Sequence, residues 1–365
     1  MKRPNPAGST TRLNPELDSS EKRYNVRDPR LAQAIDNFMQ ELPPYAHQDL
    51  LREVVVTVVK LAEQNTQRGD LKILRSAVKE LRYAYKIFDQ YRDIPKVTVF
   101  GSARSSPDSP DYQTALQFSR RIAELGYMVI TGAGGGIMAA GNQGAGAENS
   151  FGLNIMLPFE QEANSWIAGN DRLINFRYFF TRKLFFIKES AAAVLLPGGF
   201  GTQDESFEAL TLIQTGKDKP APIIMLDSPG ANYWKSWLDF VRENLLGKGL
   251  ISPDDGALFK LTDSIDVACR EIVDFYSRYD SSRYVNSRHR LVIRLKSPIS
   301  QEQIDKLNRD FADILTGEEI CSCTATRDEI LDEPELSDLP RLSVPFDQRH
   351  FGRLRRLIDA INQFP

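Results

Sequence analysis

Cysteine and histidine are scarce here, three of each in 365 residues. Cys269 stands alone, while Cys321 and Cys323 sit two apart. In a strand that pair would share one face and not readily bridge, so free thiols in a reducing cytoplasm are expected. His47, His289 and His350 are scattered, and neither HxxxH nor CxxC spacing occurs, so no dedicated zinc site is expected. No run approaches the roughly 18 apolar residues a membrane helix needs. The stretch from Met1 to Glu21 holds no apolar run either, and reads as neither signal peptide nor anchor. An excess of one charge is also missing. The formal net charge of -3 gives no global electrostatic case for nucleic acid or an anionic membrane as partner. GxxxxGK[ST] is absent, which disfavours a P-loop ATPase or GTPase.

What is present is ordinary for a soluble globular chain, 41% hydrophobic and 26% charged. The length suits two domains with an added arm. Residues 1–26, rich in Pro, Asn, Ser and charge without periodicity, read as a disordered tail. Residues 27–93 read as a helical arm. Leu31, Ile35, Phe38 and Met39 fall at helical spacing, and Pro43 and Pro44 stop that helix. Leu74, Val78, Leu81, Tyr85 and Phe88 form one apolar stripe of a later helix.

Residues 94–280 change rhythm. Apolar strands at 97–100, 128–131, 153–157, 191–196 and 223–226 alternate with helices at 112–125, 137–148, 181–188 and 203–215. Helices at 234–246 and 265–279 close the domain. Fully apolar strands between helices imply a parallel sheet covered on both faces, an α/β, doubly wound, Rossmann-like fold. Ligands in such sheets bind at the carboxyl ends of the strands. Residues 281–365 read as a small α+β module, ferredoxin-like or ACT-like, from strands at 290–295, 320–325 and 342–345 and helices at 301–315 and 351–361. By fold analogy alone this module could bind a small effector, or it could serve assembly.

Three turns follow strands on the same sheet edge. They are Gly101-Ser102-Ala103-Arg104, Gly132-Ala133-Gly134-Gly135-Gly136 and Gly198-Gly199-Phe200-Gly201-Thr202. Glycine lets backbone N–H groups approach an anion, and the following helix points its positive end at the same place. Each turn alone can be a tight connection. Together they predict an anion site, with Pro197 to Thr202 as the phosphate-binding turn.

Glu205 lies three residues after Thr202. That spacing fits a capping box, with Thr202 as N-cap, and equally a carboxylate one helical turn from a bound phosphate. Asp204 points elsewhere on the helix. If Thr181 opens the preceding helix, Arg182 and Lys183 sit at its positive end, which is unfavourable without a nearby anion. Solvated surface is the plainer reading of that pair. The aromatic run Phe176, Tyr178, Phe179, Phe180, Phe185 and Phe186 reads mostly as core, with one or two rings free to line a flat pocket.

The stretch PGGFGTQDE, from Pro197 to Glu205, together with Arg182-Lys183, resembles the Lonely-guy family of nucleoside 5′-monophosphate phosphoribohydrolases. These were formerly labelled possible lysine decarboxylases. The resemblance covers about residues 95–230. Gly134-Gly135-Gly136 matches the family's second glycine loop more loosely. Plant-type members carry Met-His where Phe179-Phe180 stand, so a bacterial-type long member is the nearer likeness, and base preference stays open.

The resemblance implies hydrolysis of the N-glycosidic bond of a purine nucleoside 5′-monophosphate, AMP or cytokinin-type, to free base and ribose 5-phosphate. It implies Glu205 and Arg182 as catalytic residues, without cofactor or metal. Gly134, Gly135, Gly136, Gly198, Gly199, Gly201 and Thr202 would hold the phosphate. Ser102, Lys183 and Met156 would make further substrate contacts, with the base near residues 156–160. A cytoplasmic homodimer is implied as well. Pyridoxal phosphate chemistry needs a Schiff-base lysine with a partner for the pyridine nitrogen, and nothing singles out Lys183 or Lys188.

Two other classes compete. A nucleotide or molybdenum-cofactor carrier, or a sensor, shares the general fold, but needs no charged pair at the sugar. A nucleic-acid-processing relative would want a basic surface, for which Arg349, Arg353, Arg355 and Arg356 are the only cluster.

Overall fold

A computed structural model describes residues 24–157, 162–285 and 290–365. Most of the expected tail, and residues 158–160 of the expected base pocket, lie outside them. The chain divides into two compact units, one ending at Val78 and the other beginning at Lys79.

In the first unit Asp28 caps α1 (Pro29–Glu41) by accepting from the Arg30 amide, with Pro29 opening the helix. Helix α2 (Gln48–Glu63) follows, and α3 (Arg68–Asp89) continues into the second unit. Ile35, Met39, Val56 and Val26 form the unit's small core. Buried Arg52 donates to Asp36 (2.7 Å), the Tyr24 carbonyl (2.9 Å) and the Asn25 side chain (3.1 Å), so residues just before α1 are held in place.

The second unit begins with β1 (Lys96–Phe100), α4 (Pro110–Glu124), β2 (Met128–Thr131), α5 (Ile137–Ala145), β3 (Ser150–Ile155) and β4 (Leu173–Phe176). It continues with α6 (Phe179–Lys188), β5 (Ala192–Leu195), α7 (Phe200–Gln214), β6 (Ile223–Leu226), α8 (Tyr233–Phe240), β7 (Lys260–Thr262) and α9 (Ile265–Phe275). The strands form a seven-stranded sheet in the order β4-β3-β2-β1-β5-β6-β7. Every pairing in it is parallel. Successive side chains alternate between its faces. Val97, Val99, Val129, Val194 and Ile224 pack with residues of α4, α5 and α9. Met128, Ile130 and Phe151 pack with Phe88 of α3 and Phe185 of α6. Leu195, Ile223 and Met225 pack with Ile213 of α7 and Trp234 of α8. Each such apolar side chain contributes about 1.5–3 kcal/mol on full burial. This is the doubly wound α/β fold expected. The chain runs outward from β1 to β4, then returns to place β5 beside β1. That reversal opens a crevice at the carboxyl ends of β1 and β5, where open parallel sheets bind ligands.

The remainder is β8 (Tyr279–Val285), β9 (Arg290–Leu295), α10 (Gln301–Asp310), β10 (Cys321–Cys323), α11 (Arg327–Asp332), β11 (Arg341–Val344) and α12 (Phe351–Asn362). Its four-stranded sheet, β10-β11-β9-β8, is antiparallel throughout. The three expected strands and two expected helices are present from β9 to α12, with the short α11 added between β10 and β11 and β8 added as an edge strand in front. Leu291, Ile293, Leu342 and Val344 face α10 and α12. On the other face Arg294 and Arg341 share the fully buried carboxylate of Glu329. Three of the four C-terminal arginines are paired: Arg353 with Asp313, Arg355 with Glu271 and Asp359, Arg356 with Asp254. That pairing takes most of the charge from the one basic cluster in the sequence. Among the described residues no helix is long and apolar enough to cross a membrane, and no three His, Cys, Asp or Glu gather as a metal site.

Candidate active site

The crevice between β1 and β5 opens into a cavity of about 860 Å³. Ser102, Gly132, Arg182, Glu205, Gly198, Gly199, Gly201 and Thr202 line it, together with Phe179, Phe186 and Tyr233. Three of the expected loops meet there. The Ser102 amide donates to the Pro197 carbonyl (3.0 Å), and the Ser102 carbonyl accepts from the Ile137 amide (2.9 Å). The first turn therefore ties the Pro197–Thr202 turn to the head of α5.

Helix α7 starts at Phe200 with Gly199 as N-cap, and no side chain caps it. Thr202 is already inside the helix, so the Thr202–Glu205 capping box does not form. The close approach of Thr202 to the turn explains the early start. A Cβ at Gly198 would lie 2.1 Å from Thr202 Oγ1. The first amides of α7 have no intrahelical acceptor, and they face the crevice with the helix's positive end. Phe200, at the tip of the turn, is 96% exposed.

The glycines at 134–136 do something else. Gly136 has φ +59°, and a Cβ there would lie 2.2 Å from the Ser102 carbonyl oxygen. Gly135 likewise faces the Ala103 carbonyl. Gly134, Gly135 and Gly136 are not among the residues lining the cavity, and they serve the close packing of two turns. The Asn164 side chain fixes this loop by donating to the Ala133 and Gly134 carbonyls, at 3.1 and 3.0 Å. Gly132 instead borders the cavity, and only glycine fits. A Cβ there would lie 2.3 Å from Arg182 Nη2 and 2.6 Å from Met138 Sδ.

Arg182 sits in the first turn of α6, which opens at Phe179 and not at Thr181. Its Nε donates to the Leu153 carbonyl (2.7 Å) and its Nη2 to the Gly132 carbonyl (3.3 Å). The guanidinium carbon lies 4.9 Å from the Phe186 ring centre. Burial pulls the Arg182 pKa down to about 10, although the Glu205 charge pulls it back up. A buried cation in this position favours an anionic ligand.

Lys183 does not line the cavity. Its ammonium reaches Glu208 (2.5 Å), Asp204 (2.7 Å) and Glu205 (3.7 Å). Burial opposes that charge, but the bonds to Asp204 and Glu208 outweigh it and raise the lysine pKa. The expected substrate contact is thus a clasp between α6 and α7. Adjacent helix positions face different ways, so Arg182 and Lys183 separate.

Glu205, one turn into α7, is nearly buried at the cavity wall. Burial pushes its pKa up to about 7, against the lowering charges of Lys183 and Arg182 and with the repulsion of Glu208 and Asp204. A carboxylate that exchanges its proton near neutral pH suits acid–base or charge-stabilising work.

Of the aromatic run, Phe176, Phe185 and Phe186 are buried in the core, and Phe179 and Phe186 border the cavity. Phe180 is exposed and Tyr178 half-buried, so less of the run is core than expected. Met156 is 56% exposed and outside the lining, where its neighbour Ile155 stands instead. Tyr233 and Gln203 were not anticipated. Tyr233 follows β6 on the same sheet edge, and the carboxyl-end rule applied to β6 would have found it.

Residues 136–272 match the family model described as "Possible lysine decarboxylase". Over 100 residues the chain is 30% identical to cytokinin riboside 5′-monophosphate phosphoribohydrolase LOG1 of Arabidopsis thaliana. That match takes in 27% of this chain and 45% of the relative, so the chain spans less than half of that protein's length. LOG3 of the same plant is 26% identical over 162 residues, 43% of this chain and 72% of the relative. The central domain is similar to Lonely-guy proteins. The Lonely-guy motif from Pro197 to Glu205 and the Arg182-Lys183 pair thus fall on one cavity or on its supporting clasp. Among solved structures, the molybdenum cofactor binding protein from the phototrophic bacterium Rippkaea orientalis covers 49% of this chain and 95% of its own, at 20% identity and a TM-score of 0.35.

Proposed function

We propose that this protein hydrolyses the N-glycosidic bond of a purine nucleoside 5′-monophosphate, AMP or a cytokinin-type nucleotide, releasing base and ribose 5-phosphate. The observation that carries this reading is the convergence of the partly buried Arg182 and Glu205 on the cavity headed by the glycine turn of α7. The amides of that turn would hold the 5′-phosphate. Breaking the C1′–N bond develops oxocarbenium character on the ribose. The Glu205 carboxylate would face that charge and orient the water that adds to C1′, while the departing base takes up a proton. Arg182 would fix the anionic substrate and keep Glu205 in place. Phe179 and Phe186 offer flat apolar surface to a base. By likeness to the family, the working form would be at least a homodimer, which sedimentation would check.

A panel of ribonucleoside monophosphates, including AMP and N6-isopentenyladenosine monophosphate, tests the reading. Chromatography should show free base in step with ribose 5-phosphate for a purine nucleotide. Binding without base release from any of them would instead support a nucleotide carrier or sensor.

A further inference from the structure

Tyr233 opens α8, beyond the carboxyl end of β6, and its hydroxyl donates to the Gly198 carbonyl at 2.5 Å. A carbonyl oxygen only accepts, so the single phenolic proton is committed there. The 2.7 Å bond between Tyr233 Oη and the Gln203 amide must then run from nitrogen to oxygen. That fixes which end of the Gln203 amide faces the tyrosine. The other end, Gln203 Oε1, is buried and has no partner among the described residues. Such an oxygen costs stability, so packing alone does not account for the pair.

The consequence falls on the phosphate turn. Among the described residues no peptide is cis, and in a trans peptide the carbonyl and the following N–H point in opposite directions. Pinning the Gly198 carbonyl therefore pins the direction of the Gly199 N–H. Glycine at 198 and 199 leaves that peptide free to rotate otherwise. Both glycines, Gln203 and Tyr233 border the cavity.

We propose that Tyr233, steadied by Gln203, is a positioning residue for the phosphate turn, acting through the Gly198–Gly199 peptide and not on the reacting bond. The inference rests on reading that turn as the phosphate site. Its test uses the full chain and two probes, ribose 5-phosphate and an unphosphorylated purine nucleoside, by calorimetry, alongside steady-state kinetics. In Tyr233→Phe, ribose 5-phosphate affinity should fall about tenfold and the nucleotide KM rise by a similar factor, with kcat within about threefold. Nucleoside affinity should not change. Gln203→Glu should follow Tyr233→Phe, because an acceptor-only carboxylate competes with Gly198 for the phenolic proton. Unchanged ribose 5-phosphate affinity in Tyr233→Phe would overturn the inference. So would an equal loss for the nucleoside, or no ribose 5-phosphate binding by the unmodified protein. Tight, Tyr233-dependent phosphate binding without base release would uphold the clamp and remove the glycosidase reading alone.

Discussion

Glu205 is a carboxylate pulled two ways, by burial toward the neutral form and by Lys183 toward the charged one. If the ionised form faces the ribose, turnover should climb as pH rises through about 7. Lys183→Gln removes the largest lowering charge, so the midpoint of a kcat–pH profile should move upward, with the loss greater at pH 7 than at high pH. A profile that merely drops in height would mean that Lys183 is structural. Stability carries the same signature. A carboxyl that folds with a raised pKa keeps its proton when the unfolded chain has released it, so stability falls as pH rises between about 4.5 and 7. Glu205→Gln lacks this penalty and should gain roughly 1–3 kcal/mol above that window, with little gain below it. Urea midpoints at acidic and alkaline pH measure the difference. Gly132→Ala is the complementary case. Its methyl group would occupy the place of Arg182 Nη2. Displacing the guanidinium by about 1 Å should lower kcat on the order of 100-fold with the fold intact by circular dichroism.

Helix α7 joins the site to the C-terminal module. Its head carries the glycine turn and Glu205. At its tail, Gln214 donates to Asp255 (2.6 Å), and Gly216 follows with φ +65°. A Cβ at Gly216 would lie 2.3 Å from the Phe351 ring of α12. Gly216→Ala meets both a left-handed backbone and this ring, and should cost about 1–3 kcal/mol in a urea titration. The five strands β1, β2, β3, β5 and β6 were legible because their runs are apolar and bounded by turns. Strands β4, β7 and β8 were not. β4 buries only two of its four residues, β7 buries none, and β8 buries only its two end residues, so it shows no alternation. The role of Glu205 was legible only as a choice, since a capping box and a site carboxylate share one spacing. The start of α7 excludes the capping box, because Thr202 lies inside the helix. The glycines at 134–136 are equally ambiguous in sequence, because tight packing and anion binding use the same residue.

Across the second unit, the C-terminal module is built into the Rossmann-like domain. The Asn362 side chain bonds to the Phe275 carbonyl (2.6 Å) and to the Arg278 and Tyr279 amides (3.1 and 2.8 Å). Gly352 of α12 approaches the Asp254 carbonyl so closely that a Cβ would lie 2.0 Å from its oxygen. Removing residues 281–365 should therefore expose apolar surface of α9 and leave an insoluble product, whereas independent domains would tolerate the cut. The most direct test of the whole account is single-turnover release of ribose 5-phosphate from the preferred purine nucleotide, measured with nucleotide affinity in three proteins. The parent should release base and ribose 5-phosphate in equal amounts. Glu205→Gln should bind the nucleotide comparably yet release at least about 100-fold more slowly, and Arg182→Ala should lose both binding and rate. Full release by Glu205→Gln, or none by the parent with any purine nucleotide, would contradict it.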